Sequence, residues 1–496
     1  MTALLTHRYL VEYGRRPINV VLLAVVPFVF VTLSAGAIVD FAEVFGGLGD
    51  RGSLEAATAG WAAAFIAGVA GFFHVTGSRA ADRRVAAAGA GTGPVVTSRM
   101  LSAVAIAGVA VVGSLLALAL RAGISDVPLA VVATAMFALI YLSIGVAVGA
   151  VVRSEVNGSL VIIFVWMFDV FLGPTMGGSD VAVLRLLPTH FPTLVMINAH
   201  TGHAGPIGDL GASLLWTVGA LTLAWLILSA TTRPARARIR TTSGSWARLV
   251  AGLRYGFREY RRNVALWILL IGLPIFFITA AIAVTPADPT PVSLTEGGIS
   301  AIEIISMTRV HGAIMVPITV AFLAGLAGMF VVLDSAEGDR RLVLAGFRTR
   351  EALAARLGII AFASLLATVV SLLITARDFT PDVWLTFAAA TVLVALTYGM
   401  IGVIVGILFG RVGGLYVIFL LPFIDVGLAQ NTMFSAAPPD WARFMPGYGA
   451  VQVLMDGAFT PGFDTEFALG LAVAWLAGIT AVAVAVFHRV AAARRT

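Results

Sequence analysis

The chain has 496 residues, of which 59% are hydrophobic and only 12% charged, with 32 basic against 26 acidic side chains and a mean hydropathy of +0.98. A water-soluble fold cannot bury this much apolar surface, because the outside of a soluble protein has to carry many more polar and charged groups. The chain contains no Cys, which excludes disulfides, thiolate metal sites and thiol nucleophiles.

Long apolar runs place the chain in a lipid bilayer. A helix needs about 20 predominantly apolar residues to cross the hydrocarbon core, and unbroken runs favour helices over the alternating strands of a barrel. Windows of that length predict twelve spans, at residues 18–38, 57–76, 99–120, 128–151, 158–174, 211–231, 264–284, 310–333, 354–375, 384–409, 414–430 and 466–488. The sequence therefore predicts an all-α polytopic membrane protein.

The arginines predict the orientation. Every basic residue is Arg; in the twelve-span arrangement 26 of the 32 share a side with the N-terminus and six lie on the other side. Because basic loops stay in the cytoplasm, both termini are predicted to be cytoplasmic. An alternative is a signal peptide made of Arg15, Arg16 and the apolar run up to Ala37. The same layout recurs after Arg261 and Arg262, where no signal peptide can act.

A short amphipathic stretch precedes the first span of each half. In the first stretch, apolar residues such as Leu5 and Tyr9 alternate with charged residues such as Arg8 at near-helical spacing. Such an interface helix lies at the membrane surface, either as an anchor or as a docking surface for a cytoplasmic partner. The residues that the two stretches share are Glu12, Tyr13 and Arg15 in the first and Glu259, Tyr260 and Arg262 in the second.

The second half of the chain repeats the first. Residues 82–99 match residues 339–356 at an offset of 257, with seven of eighteen positions identical. Residues 141–149 match residues 398–406 at the same offset, with six of nine identical. Self-similarity over this length is typical of tandem structural units.

The repeat predicts two six-helix units. The first covers residues 1–232, a basic linker with the second interface helix covers 233–262, and the second unit covers 263–496. Six spans is an even number, so both copies insert the same way up and are related by an axis along the membrane normal. A translocation path between the halves is the expected geometry.

A loop with the sequence Asp-Arg-Arg joins the second and third spans of each half. We predict a short cytoplasmic helix that ends at a C-terminal glycine, followed by a turn and re-entry into the membrane. A loop that only sets orientation explains the arginines too, but the similarity of the two copies favours a repeated cytoplasmic contact. The shared residues are Asp82, Arg83, Arg84, Gly89 and Arg99 in the first half and Asp339, Arg340, Arg341, Gly346 and Arg356 in the second.

Two carboxyl groups lie in otherwise apolar spans. Asp169 and Asp425 fall towards the outer ends of the fifth span of each half. Acids inside a membrane are costly, so both are predicted functional residues, unless the spans end earlier and the two acids are interfacial. Apolar stretches that begin at Pro188 and Pro446 follow; each is too short to cross and is predicted to be a helix that lies at the outer surface or dips into the membrane.

Several kinds of chemistry are excluded. The chain has no Lys, so it cannot form the ATP-binding loop G-x-x-x-x-G-K-[ST]. No pairing of a nucleophile with a base supports an intramembrane enzyme, so no catalytic residue is predicted. A metal site at His190, His200 and His203 would need a carboxylate such as Asp209. Solvated loop histidines are the alternative, and we predict no bound metal.

This layout resembles the permease subunits of type-2 ABC exporters, with two six-span halves fused in one chain. The resemblance rests on the interface helix, the loop between spans two and three, a short outer loop after span three, and outer helices with Pro between spans five and six. It implies that the Asp-Arg-Arg loops are coupling loops that dock, with the interface helices, onto two copies of a separate ATPase. That ATPase would hold ATP and Mg, and this chain would hold no cofactor.

The resemblance also implies a function and a place. The expected function is export of an amphipathic drug, antibiotic or lipid across the plasma membrane of a prokaryote, with membrane lipid but no nucleic acid as a partner. The alternative is a proton-coupled secondary transporter of the major-facilitator type, which also has six plus six spans. Its second-to-third loop carries G-x-x-x-D-R-x-G-R-R, and the run from Gly77 through Asp82 to Arg84 is near this pattern but misspaced.

Overall fold

The computed structural model describes residues 1–44, 49–124, 126–152, 154–176, 182–198, 201–232, 264–297, 299–344 and 349–493. Most of this part of the chain is helical, as the apolar sequence predicts. The chain divides into two compact units. The first is made of Met1–Ala35 with Gly46–Gly272, and the second of Gly36–Phe45 with Leu273–Thr496. The predicted linker at 233–262 lies outside the described residues.

Nine α-helices follow one another in the described residues of the first half. They are α1 Thr2–Gly14, α2 Pro17–Val44, α3 Arg51–Thr76, α4 Arg79–Val85, α5 Thr92–Arg121, α6 Val127–Val151, α7 Glu155–Phe171, α8 His190–Met196 and α9 Gly208–Thr232. The second half contains α10 Val264–Val284, β1 Pro289–Glu296, β2 Ile299–Ser306, α11 Met307–Leu344, α12 Thr349–Thr375, α13 Trp384–Pro422, α14 Tyr448–Phe459 and α15 Glu466–Ala493.

Nine helices within the described ranges are long and apolar enough to cross a membrane. They are Pro17–Asp40, Arg51–Thr76, Thr92–Arg121, Val127–Val151, Gly205–Thr232, Met307–Ser335, Arg356–Thr375, Trp384–Ala429 and Glu466–Phe487. Each exceeds the length of about 20 residues that a bilayer requires, or equals it. The chain is therefore a multi-pass helical membrane protein.

Three of the twelve predicted spans are not separate members of this set. The prediction at 158–174 falls on α7, which has only 17 residues, and the one at 264–284 falls on α10. The prediction at 414–430 falls on the end of α13 and the π-helical turn Phe423–Ala429. A kink divides α13 at Gly410, whose φ of 68° is readily available only to glycine.

The first interface helix packs by its apolar face. Leu5 and Tyr9 on α1 are buried against Val95 near the start of α5. Arg8 and Glu12 on the same helix are exposed. The burial of Leu5 and Tyr9 thus places α1 against the start of α5.

Spans α3 and α6 touch backbone to backbone. A Cβ atom added at Gly145 would lie 2.0 Å from the carbonyl oxygen of Gly68, which no real side chain can do. A Cβ atom at Gly149 would lie 2.8 Å from the carbonyl oxygen of Phe72. Small residues allow membrane helices to approach this closely. In lipid no hydrophobic force draws the helices together, so tight packing supplies the attraction between them.

Spans α11 and α13 of the second half form the same glycine contact. A Cβ atom at Gly402 would lie 2.1 Å from the carbonyl oxygen of Gly325, and one at Gly328 would lie 2.0 Å from that of Gly399. Gly325 and Gly402 follow Gly68 and Gly145 by the offset of 257 that aligns the two halves. The repeated sequence therefore coincides with a repeated helix contact.

A β-hairpin lies between α10 and α11, where the hydropathy pattern predicts only a long loop. Its strands are antiparallel, with Pro289 opposite Ser306 and Glu296 opposite Ile299. Val292 and Leu294 on β1 alternate inward. This alternation has a period of two residues, and windows of about 20 residues average such a pattern away.

We predict that Gly145→Ala weakens the first unit. The added methyl group has to separate α3 from α6, and overpacking of this kind costs about 1–3 kcal/mol. The measurement is the thermal unfolding of the purified chain. Gly219→Ala on α9 is the control, since no atom lies within 4 Å of its Cβ position. It should be neutral or stabilising, because Ala forms helices better than Gly; equal losses in the two variants would contradict the contact.

Candidate functional site

A buried ion pair joins the predicted coupling loop of the first unit to α5. Arg99 on α5 donates from Nε to Oδ2 of Asp82 at 3.0 Å and from Nη2 to Oδ1 at 2.6 Å. The exposed fractions of the two side chains are only 4% and 6%. A bidentate pair of this geometry fixes both the distance and the orientation of the groups that carry it. It therefore locks α4 to α5.

Tyr9 brings the interface helix into the same cluster. Its hydroxyl group donates to Oδ1 of Asp82 at 3.2 Å, and the guanidinium carbon of Arg99 lies 3.6 Å from the centroid of its ring. Burial, and then the neighbouring Asp82, raise the pKa of Tyr9 to about 12, so its hydroxyl group keeps its proton at neutral pH. Stacking of Arg on an aromatic face adds to the hydrogen bond. We name Tyr9, Asp82 and Arg99 the clamp.

His74 at the end of α3 extends the cluster. Its Nε2 lies 2.7 Å from Oγ of Ser102 and 3.4 Å from Nη1 of Arg99. The ring of Tyr13 packs edge-on against that of His74, with the centroids 6.1 Å apart. The end of α3, the interface helix and the start of α5 consequently meet at one point.

The predicted coupling-loop residues divide into two groups. Asp82 and Arg99 face inward, whereas Arg83, Arg84 and Gly89 are exposed. Gly89 has a φ of 105° and interrupts the helical path after α4. Such a conformation is natural for glycine and strained for other residues, so the chain turns there towards α5.

The two exposed arginines of α4 make different contacts. Arg83 Nε donates to the carbonyl oxygen of Thr231 at 2.9 Å, at the C-terminal end of α9. Arg84 Nε donates to the carbonyl oxygen of Ala80, one turn back on the same helix. The two neighbours thus differ, since Arg83 reaches another span and Arg84 does not.

The matching loop of the second half is described only in part. Asp339, Arg340 and Arg341 lie on the last turns of α11, but their side chains lie outside the described residues. Gly346 and the second interface helix, with Glu259, Tyr260 and Arg262, lie outside them entirely. Arg356 is half-buried on α12. In the first interface helix, Glu12 and Arg15 are exposed and Tyr13 is half-buried.

Asp169 anchors α8, the predicted outer helix of the first unit. Its carboxyl group accepts from the hydroxyl group of Tyr141 at 2.8 Å, from the hydroxyl group of Thr189 at 2.7 Å and from the backbone N–H of Thr189 at 3.1 Å. Thr189 is the residue that precedes α8. The acid therefore ties α6, α7 and the start of α8 together.

Asp425 does the same in the second unit. Its carboxyl group accepts from the hydroxyl group of Tyr398 at 2.5 Å, from the backbone N–H of Gly447 at 2.7 Å and from the side-chain amide of Gln430 at 3.3 Å. Gly447 directly precedes α14. Both acids are fully buried among their donors, as a polar group at this depth requires. We name each Tyr–Asp–helix contact a lock.

The locks assign a role to the predicted intramembrane acids. In both units the acid caps the start of the outer helix, where backbone N–H groups lack partners in the helix and favour a carboxylate. Each acid also has a tyrosine, Tyr141 from α6 or Tyr398 from α13, and the sequence repeat aligns these two positions. The residues that receive the cap, Thr189 and Gly447, differ in type, so no sequence identity reveals them.

The outer histidines do not form a metal centre in the described part of the chain. His190 and His203 stack with ring centroids 5.4 Å apart, and Nε2 of His190 lies 3.1 Å from Nδ1 of His203. Burial, followed by the charges of His203 and Arg185, lowers the pKa of His190 to about 4. His200 lies outside the described residues, and within them no group of three or more metal-binding side chains occurs.

Comparison of the chain with protein-family models and with curated proteins gives no match. The function is therefore argued from the clamp, the locks and the repeat.

We predict that Arg99→Ala destabilises the chain by about 3–5 kcal/mol, because it leaves the carboxylate of Asp82 buried without its cation. Thermal unfolding of the purified chain measures the loss. The double variant with Asp82→Ala should cost less than the two single changes added together. Arg443→Ala is the control, since it breaks an exposed pair with Asp440 and should cost under about 1 kcal/mol. Equal effects of Arg99→Ala and Arg443→Ala would exclude a structural clamp.

We predict a graded effect at the first lock. Tyr141→Phe removes one donor and should cost about 1 kcal/mol, whereas Asp169→Ala leaves buried donors unsatisfied at about 1–3 kcal/mol each. Thermal unfolding gives the ranking. Asp126→Ala removes an exposed cap from α6 and should cost about 1 kcal/mol. A loss in Asp169→Ala no larger than in Asp126→Ala would mean that the acid does not anchor α8.

Proposed function

We propose that this chain is the transmembrane permease of an ATP-driven exporter of the type-2 ABC class. It crosses the plasma membrane of a prokaryote twelve times as two parallel six-helix units, with both termini in the cytoplasm. Two copies of a separate ATPase bind beneath the units and hold ATP and Mg. The substrate is an amphipathic small molecule.

The clamp is the observation that carries this proposal. A loop helix that only anchored the chain would have no need of a buried bidentate pair with α5, because lipid contact suffices for anchoring. In the clamp, Tyr9, Asp82 and Arg99 make α1, α4 and α5 one body. The body leaves Arg83 and Arg84 exposed on its surface. A rigid element with an exposed basic face is suited to receive force from a cytoplasmic partner.

The same body is attached to further spans. Arg79 Nη2 donates to the carbonyl oxygen of Val152, beyond the end of α6, and Arg83 donates to that of Thr231 on α9. His74 connects it to the end of α3. A displacement of α4 would therefore act on several spans at once, as coupling between a cytoplasmic motor and a membrane path requires.

The energy source has to lie on another chain if it is ATP. Without Lys, this chain cannot hold the phosphates by the usual ATP-binding loop. A proton-coupled carrier would instead use an acid inside the membrane that exchanges protons. Asp169 and Asp425 each accept from three donors in a capping arrangement. This favours a structural role and the exporter over the secondary transporter.

We predict that Arg84→Glu weakens binding of an ATPase. The tagged chain is purified from its native membrane, and the copurifying protein is identified by its ATP-binding loop and its nucleotide hydrolysis. Reversal of one charge at a polar interface should lower recovery about tenfold. Arg377→Glu is the control, because Arg377 is also exposed but lies in the loop between α12 and α13, on the predicted outer side.

A separate experiment tests the alternative function, a proton-coupled secondary transporter. If the purified chain alone, reconstituted in vesicles, transports ethidium on a proton gradient without ATP, the exporter proposal is wrong. If no ATPase accompanies the chain and Arg84→Glu behaves like Arg377→Glu, the exposed arginines set orientation only.

A further inference from the structure

A groove on the surface of the first unit is unused by the clamp and the locks. It has a volume of about 350 Å³ and runs between α5 and α9. Met100, Leu101 and Val104 line it from α5, and Leu221 and Trp225 line it from α9. Thr97 and Thr222 complete the lining and no charged residue belongs to it, so the groove suits an occupant that is mainly apolar over this length.

The groove opens on the outside of the described chain. Leu101 is 50% exposed and Trp225 38% exposed. Only 22% of the most apolar stretch of α9 is buried. Helices this apolar and this uncovered face lipid. An acyl chain of a membrane lipid is therefore the expected occupant of this groove.

One end of the groove lies near the arginines of α4. Trp225 Nε1 lies 3.4 Å from Oγ1 of Thr97, which is in the second turn of α5. Six residues beyond Trp225, or about 9 Å along the helix, the carbonyl oxygen of Thr231 accepts from Arg83. A Trp at this depth and an Arg just beyond it are typical of the boundary between acyl chains and headgroups.

The charge at this end is positive. Asp82, the acid of α4, is paired with Arg99 and buried, so it does not offset the exposed arginines. Arg83 uses Nε for Thr231, and its side chain is exposed. A guanidinium group in this state matches the paired oxygens of a phosphate.

We propose that the groove binds an anionic phospholipid, with an acyl chain between α5 and α9 and the phosphate on Arg83. Charge complementarity selects the lipid class, since a zwitterionic headgroup brings its own cation to the arginines. The lipid fills the gap between α5 and α9 beside the clamp. The site does not depend on an ATPase, so it stands or falls separately from the proposed function.

The test is native mass spectrometry of the purified full-length chain in detergent. Equal amounts of palmitoyl-oleoyl phosphatidylglycerol and palmitoyl-oleoyl phosphatidylcholine are titrated in. The wild-type chain should retain the anionic lipid about fivefold more strongly, the contribution expected of one interfacial arginine. Arg83→Gln should bring the ratio close to one. Arg84→Gln is the matched control and should leave the ratio unchanged.

A second pair of variants tests the groove itself. Leu101→Trp fills it and should reduce retention of both lipids several-fold, whereas Leu116→Trp, at another lipid-exposed position on α5 that is 53% exposed, should not. Both positions tolerate size on the surface, so folding is preserved. Equal retention of the two lipids by the wild-type chain would overturn the proposal. Equal losses in Arg83→Gln and Arg84→Gln, or no loss in Leu101→Trp, would overturn it as well.

Discussion

Contact between glycine backbones holds α3 against α6 in the first unit and α11 against α13 in the second, and the other contacts depend on it. Gly68 meets Gly145 in the first unit and Gly325 meets Gly402 in the second, at distances that leave no room for a Cβ atom. In lipid, apolar side chains gain little by leaving their surroundings for one another, so close packing has to supply the attraction. The four glycines therefore fix where α3 lies against α6 and where α11 lies against α13, and these helices carry the polar groups at either end.

Polar contacts extend this packing towards both ends of the first unit. At the end of α3, His74 adjoins Arg99 of the clamp. On α6, Tyr141 lies one helical turn before Gly145 and bonds to Asp169, which holds the start of α8. Buried polar groups of this kind stabilise only when every partner is present, and they then define one arrangement. An outer helix held in this way should move with α6 and α7, and an interface helix held by the clamp should move with α5.

The sequence predicted the residues of these sites better than it predicted their roles. The repeat preserves Asp82, Arg83, Arg84 and Arg99 alike. In the structure Asp82 and Arg99 pair with each other, whereas Arg83 and Arg84 face outward. Asp169 and Asp425 stand out as acids among apolar residues, yet their roles depend on Thr189 and Gly447, twenty or more residues along the chain. Tyr9 was predicted only as part of an apolar face. His74 gave the signal of a lone polar ring in an apolar span, which hydropathy alone passes over.

Composition and periodicity by themselves determined that the chain is a membrane protein, that it is helical, and that its halves have related sequences. The free-energy cost of exposing apolar surface and unpaired backbone groups depends on residue type and run length, which the sequence gives directly. Tertiary structure alone decided which of several similar side chains meet. Arg83 and Arg99 are two arginines of the same repeated segment, residues 82–99. The left-handed turn at Gly89 and the start of α5 at Thr92 bring Arg99 back onto Asp82, whereas Arg83 contacts the end of α9. Which arginine pairs with Asp82 depends on the distances between helices. Residue spacing along one helix gives no information about those distances.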